Sequence, residues 1–250
     1  MDGKVQLSFL MQVPATLQDL HRGHHDKGRY FRKNIRKFNS MIAFTSMAGK
    51  VNRSINNGTT PPTFSINGQN YHSIGSLIPT NNERPRFVQL YVYDTDNEVF
   101  NRILTVRSDE IINKLETKIM SELSKMLDIC NPLAKSFCFA RDRFADSEPS
   151  KIKMRLIRNR EKDGRVYNLP TASEVAILIV GDIDDSILGR DIIIQSTTNK
   201  LKRIDVIHPL YLALQYPLIF PYGEDGFMTG IQISTRYDLS GTRKCKTISM

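Results

Sequence analysis

The chain has no tryptophan and only three cysteines in 250 residues, Cys130, Cys138 and Cys245. An odd count with no C-x-x-C pair argues against a disulfide framework, a zinc ribbon or a redox motif, and it fits a reducing, intracellular compartment. No apolar run reaches the ~18 residues needed to cross a bilayer, so no membrane partner is expected. The opening stretch MDGKVQLSFLMQVPATL carries one lysine and a broken apolar run, unlike a secretion signal. The motifs of common enzymes are missing too. There is no G-x-x-x-x-G-K-[ST] loop to cradle phosphates, and the glycine-rich GEDGFMTG (223–230) carries acids that would repel them. There is no G-x-S-x-G nucleophile turn and no H-E-x-x-H zinc helix. The sequence predicts no enzyme and no cofactor.

What is present is positive charge. Thirty-five Lys and Arg against 26 Asp and Glu give +9, which suits either a polyanion-binding protein or a merely soluble basic one. The hydrophobic fraction of 40% supports a core. Residues 14–42 read as a helix after a proline start, with Phe31, Ile35, Phe38 and Ile42 on one apolar stripe. Acids are absent from Lys27 to Met41, and Arg29, Arg32, Lys33 and Arg36 fall opposite that stripe, free to meet phosphates. Just upstream, HRGHH places His21 and His25 four apart, but no nearby set of carboxylates or thiols completes a metal site. A solvated helix end is the expectation there, and no metal ligands are assigned.

PPTFSINGQNYHSIGSLI predicts a β-hairpin turning at Asn67-Gly68. FVQLYVYD (87–94) alternates β-formers and predicts a strand beside it. Residues 108–130 predict a helix capped by Ser108, with Ile112, Leu115, Ile119, Leu123 and Met126 inward and Cys130 as a core thiol. Asn131-Pro132 restarts a helix carrying Leu133, Phe137, Ala140 and Phe144 on one face. The chain then turns to strands. In KIKMRLIRNR, Lys151, Lys153 and Arg155 alternate outward against an apolar set, making them further candidate phosphate contacts. EVAILIVGD predicts a central strand, and GRDIIIQSTTNKLKRI a further strand and turn. The class is α+β: an amino-terminal basic helix, a β-hairpin and strand, two central helices, then a mainly antiparallel sheet. One domain over 1–250 is expected, with the polar stretch 145–150 as a candidate seam.

HPLYLALQYPLIFPYGEDGF (208–227) is too irregular for a helix and too apolar for a surface loop. Its prolines force extended or turned geometry, so it predicts a buried docking element. This segment closely resembles the stretch before the rolling-circle nuclease domain in the replicase-helicases of Helitron transposons. GKVQL (3–7), FRKNIRKFNSMIAFTSM (31–47), FSINGQNYHSIGSLIP (64–79), QLYVYDTDNEV (89–99) and RDIIIQSTTNKLKRI (190–204) agree in the same order. The resemblance spans nearly the whole chain. It implies a nuclear protein, with DNA and the family's nuclease and helicase domains as partners. It carries no catalytic residue onto this chain. The nuclease holds a metal with two histidines in H-x-H, and no H-x-H occurs here; Tyr211 and Tyr216 alone make no nucleophile. The resemblance therefore implies an amino-terminal accessory region that positions a downstream nuclease. The alternatives are a protein-interaction scaffold and a decayed fragment without activity.

Overall fold

The computed structural model describes residues 11–51, 66–79, 83–93, 95–106, 113–146, 152–157, 176–180, 192–195 and 201–226. It is α+β, as the sequence predicts. The basic amino-terminal region is three short helices rather than one: α1 (Ala15–Arg22), α2 (Asp26–Lys33) and α3 (Ile35–Ile42). The first break falls at Gly23, which caps α1 in an extended conformation, and His25 then opens α2 by accepting the N–H of Gly28 on Nδ1. The second break is the single residue Asn34, whose side chain donates back to the Tyr30 carbonyl. Competition of this kind between side chain and helix ladder is why asparagine favours helix ends. The predicted stripe survives both breaks. Phe31, Phe38 and Ile42 are fully buried, and Ile35 packs at the core's edge.

An antiparallel strand pair forms here, but Asn67-Gly68 is not its turn. Strand β1 (Ser46–Val51) pairs antiparallel with β2 (Ile66–Ile74), from Ser46 opposite Ser73 to Val51 opposite Ile66, with an irregularity between Ala48 and Lys50. Asn67 and Gly68 therefore lie within β2. The 87–94 strand is likewise corrected. Residues Gln89–Val92 are a helical turn, α4, in which Leu90, Tyr91 and Val92 are all buried. A strand would turn alternate side chains outward, whereas here Val88, Tyr91 and Val92 reach the core at helical spacing. The Tyr91 hydroxyl donates to the Ile42 carbonyl at 2.6 Å, and its ring stacks on Phe44 at 4.5 Å.

Helix α5 (Glu98–Leu104) leads to the two long central helices, α6 (Lys114–Cys130) and α7 (Pro132–Asp146). The start of α6 is capped by Asn113, which accepts the Leu115 N–H. The proposed Ser108 cap and Ile112 lie outside the described residues. Ile119, Leu123 and Met126 are buried as expected, and Leu115 is partly so. Asn131 is fully buried between the helices, and its Oδ1 caps α7 by accepting the N–H groups of Leu133 and Ala134. Leu133, Phe137 and Ala140 face inward. The Phe144 side chain and residues 147–151, most of the candidate seam, lie outside the described residues.

The described strands form two small antiparallel sheets instead of one. The first runs β1-β2-β6, where β6 is Lys202–Ile204. In the second, β3 (Ile152–Leu156) lies between β4 (Ala176–Val180) and β5 (Ile192–Gln195). Among the described residues, the apolar strand AILIV is thus at an edge, and the half-charged IKMRL is central. A continuous apolar run reports burial of side chains, and α7 packs on β4; it does not report which strand is hydrogen-bonded on both sides.

The proline-containing segment 208–226 closes the molecule around one helical turn, α8 (Tyr211–Gln215). The Phe44 N–H donates to the Leu214 carbonyl, Asn39 Nδ2 to the Gln215 carbonyl, and buried Thr45 to Gln215 Oε1. His72 from β2 stacks on Tyr211 with ring centres 4.0 Å apart. Further on, the Cys130 thiol meets the Pro221 carbonyl, and Gly223 turns at φ 63 with Pro132 3.2 Å from where a Cβ would sit. Cys130 packs against the core as expected, and burial pushes its thiol pKa up to about 11.

Candidate nucleic-acid interface

The four amino-terminal cations do not form one uniform face. Arg29 pairs with Asp26 and donates to the His24 carbonyl. Arg32 folds back over α1, where its Nη1 donates to the carbonyls of Leu20, His21 and Gly23 at 3.2, 2.9 and 2.9 Å. These carbonyls lie at the end of α1, where helix geometry leaves acceptors without intrahelical partners. Arg32 is therefore a clamp between α1 and α2. The sequence showed a cation opposite the apolar stripe, but could not show that the chain doubles back beneath it.

Lys33 and Arg36 remain exposed, and Lys37 joins them. Their cationic groups take no carboxylate or carbonyl partner among the described residues. The three sit on either side of Asn34, at the end of α2 and the start of α3. The acid-free run around them continues well past Met41: no Asp or Glu occurs from Lys27 to Asn82. One other cation in this region is neutralised, since Lys27 binds Glu122 of α6.

The second predicted group lies elsewhere. Lys153 and Arg155 are half-buried on the central strand of the second sheet, each with an interaction of its own. Among the described strands, β3 pairs with β4 and β5. Lys151 lies outside the described residues. The histidines have structural occupations: His21 packs edge-on to Phe31 at 5.3 Å, and His25 caps α2 with Nδ1 while its Nε2 meets Asp19. Among the described residues no group of three His, Cys, Asp or Glu could hold a metal ion, and no helix is long and apolar enough to cross a membrane. Open clefts among the described residues include one of about 420 Å³ between α5 and α6, flanked by Asp96, Glu98, Lys125 and Asp128, and one of about 460 Å³ beside the first sheet.

Compared with known proteins, the chain matches no family model and no curated protein.

Proposed function

We propose that the chain is a non-catalytic nucleic-acid-binding module that meets the phosphate backbone through Lys33, Arg36 and Lys37. The observation carrying this reading is the exposure of these three cations, with no counter-charge among the described residues, on a segment that holds no acid. Phosphate contact by lysine and arginine is independent of sequence, so binding is non-specific and falls steeply with salt. The resemblance to Helitron replicase-helicases supports DNA as the polymer, a nuclear setting, and a role in presenting DNA to the nuclease and helicase domains of such proteins. Arg29 and Arg32 contribute little, because their charges are already engaged within the fold.

A salt titration of duplex DNA binding tests this. Changing Lys33, Arg36 and Lys37 together to Ala should flatten the log–log salt slope by about 2.7, at ~0.9 per phosphate contact, with the melting temperature unchanged. Arg32→Ala should do the opposite, lowering stability and leaving the slope alone. A triple variant whose slope matches the parent removes this face from the account. A second reading, a scaffold that docks another domain, is favoured by the exposed Ile129 and Ile219, 74% and 68% accessible, next in sequence to the contacting pair Cys130 and near Pro221. It would show as association with a separately made nuclease domain and no affinity for DNA.

A further inference from the structure

The outer face of the first sheet carries a second feature that the basic helices do not explain. Strand register places Ser46, Ser73 and Arg203 in one row across β1, β2 and β6. Tyr71 lies two residues along β2 from Ser73 and therefore on the same face. The opposite face, with His72 and Ile74, is covered by the segment containing Tyr211. The Arg203 guanidinium lies over the Tyr71 ring, 4.8 Å from its centre, and both side chains reach solvent. Beyond Ser73 the face runs into the open groove of about 460 Å³, lined by Ser46, Ser73, Ser76, Arg86, Phe87 and Gln89, with Glu83 at its side.

Two details make this groove more than a gap in the surface. Small hydroxyl side chains keep its floor low, and Gln89 is held in place by donating to Ser76 Oγ while accepting the Arg86 N–H. Phe87 forms part of the wall at φ 54, a left-handed conformation that a bulky residue rarely adopts. Strained backbone of this kind persists where the surroundings over-determine it, commonly at ligand sites.

We propose that this face is a groove for an extended single strand of nucleic acid, with one base stacked on the Tyr71–Arg203 layer and the backbone running past Arg86. The proposal rests on the nucleic-acid reading above and adds a strand preference to it. A stacked ring offers a π-face to any base, and flanking arginines follow the phosphates. In a duplex the bases already stack on each other and cannot reach Tyr71. Charge complementarity favours a polyanion over a peptide here, because β1, β2 and the connection up to Asn82 hold no acid. The nearby acids are engaged: Asp205 accepts the Ile207 N–H, and Glu83 has an interaction of its own.

Anisotropy titrations of labelled oligothymidylate and of a duplex of equal length test the proposal on the full chain. Tyr71→Ala should weaken single-strand binding roughly tenfold, the effect expected of one lost base–ring stack. Tyr71→Phe should stay within about twofold, since the ring remains. Neither should alter duplex binding. In the unaltered protein, bromodeoxyuridine-substituted DNA should crosslink to the tryptic peptide 54–86, whose one tyrosine is Tyr71; this readout stands even if a variant folds poorly. An unchanged single-strand affinity for Tyr71→Ala, an equal loss on duplex, or crosslinks that avoid this peptide would each overturn the groove. The helix-face variant separates the two ideas. If it leaves the salt slope intact while Tyr71→Ala still weakens single-strand binding, the helix reading fails and the groove stands. If the chain binds neither form, both fall.

Discussion

Arg102 is fully buried, and its setting shows how a charge can serve as a structural centre. Its Nε meets Glu98 at 2.7 Å, Nη1 donates to the Met41 carbonyl at 2.9 Å, and the guanidinium lies 4.0 Å from the centre of the Tyr91 ring. It thus joins the end of α3, α4 and α5 at one point. Removing one partner of a buried pair leaves the other desolvated, so Arg102→Ala should cost about 3–5 kcal/mol, and Arg102→Met distinctly less because it fills the volume. Chemical denaturation of both variants checks this; equal losses would show that packing, and not charge, is what matters there. The Glu98–Arg102 spacing is visible in the sequence, but burial is not, since arginine is ordinarily exposed. His72 is a residue of the same kind. It is buried between β2 and Tyr211, to whose carbonyl Nδ1 donates at 3.1 Å, and burial lowers its pKa. A depressed imidazole contributes stability above its unfolded value near 6.5 that is lost as pH falls through the folded value. Thermal melts should therefore drop between pH 7 and pH 5 more steeply in the parent than in His72→Gln. The comparison must be made between the two proteins, because burial raises the pKa values of Glu224 and Asp128, whose protonation in acid acts in the opposite sense. Parallel profiles would exclude His72 as the source.

At the scale of elements, hydrophobic spacing was readable and chain reversals were not. The stripe of α2 and α3, the inward faces of α6 and α7, and the alternation of Met154 and Leu156 in β3 all follow from period alone. The misread elements share a cause. Tyr91 and Val92 are strong β-formers that tertiary contacts hold in a helical turn, and Asn67-Gly68 is a strong turn signal held in a strand where Asn67 pairs with Lys50 and the preceding Ile66 with Val51. The split of the first helix depends on a local approach that no pattern encodes. A Cβ on Gly28 would sit 2.4 Å from the Gly23 carbonyl oxygen, a backbone atom. In an exposed helix Gly→Ala gains roughly 1 kcal/mol. Here Gly28→Ala should instead destabilise, because the α1–α2 turn must open to admit the methyl group. The Arg32 clamp spans this same turn, so a double variant with Arg32→Ala should lose less than the sum of the single losses. A melting temperature raised by Gly28→Ala would refute the packed turn. Of the candidate interface, Lys33 and Arg36 were visible as exposed cations, while Lys37 needed the kink at Asn34 and the role of Arg32 needed the fold.

For the molecule as a whole, the question is what joins the helices to the first sheet, and the segment 208–226 supplies the densest set of links. It accepts from or donates to α3 through Asn39, the α3–β1 junction through Phe44 and Thr45, β2 through His72, and the α6–α7 junction through Cys130 and Asn131. The Tyr222 hydroxyl reaches the Gln12 carbonyl at 2.7 Å, so it also touches the chain before α1. Buried Leu210, Ala213, Leu214 and Leu218 add apolar surface to the same core. Unfolding is cooperative when no part keeps most of its contacts after another leaves. A chain ending at residue 207 loses every one of these links at once. It should melt without a single sharp transition, with tyrosine fluorescence changing at a lower temperature than helical circular dichroism, because Tyr71 and Tyr91 leave their settings before the paired helices α6 and α7 separate. The full chain should give coincident curves. Coincident, sharp curves from the shortened chain would mean that the helices and the sheet cohere without this segment.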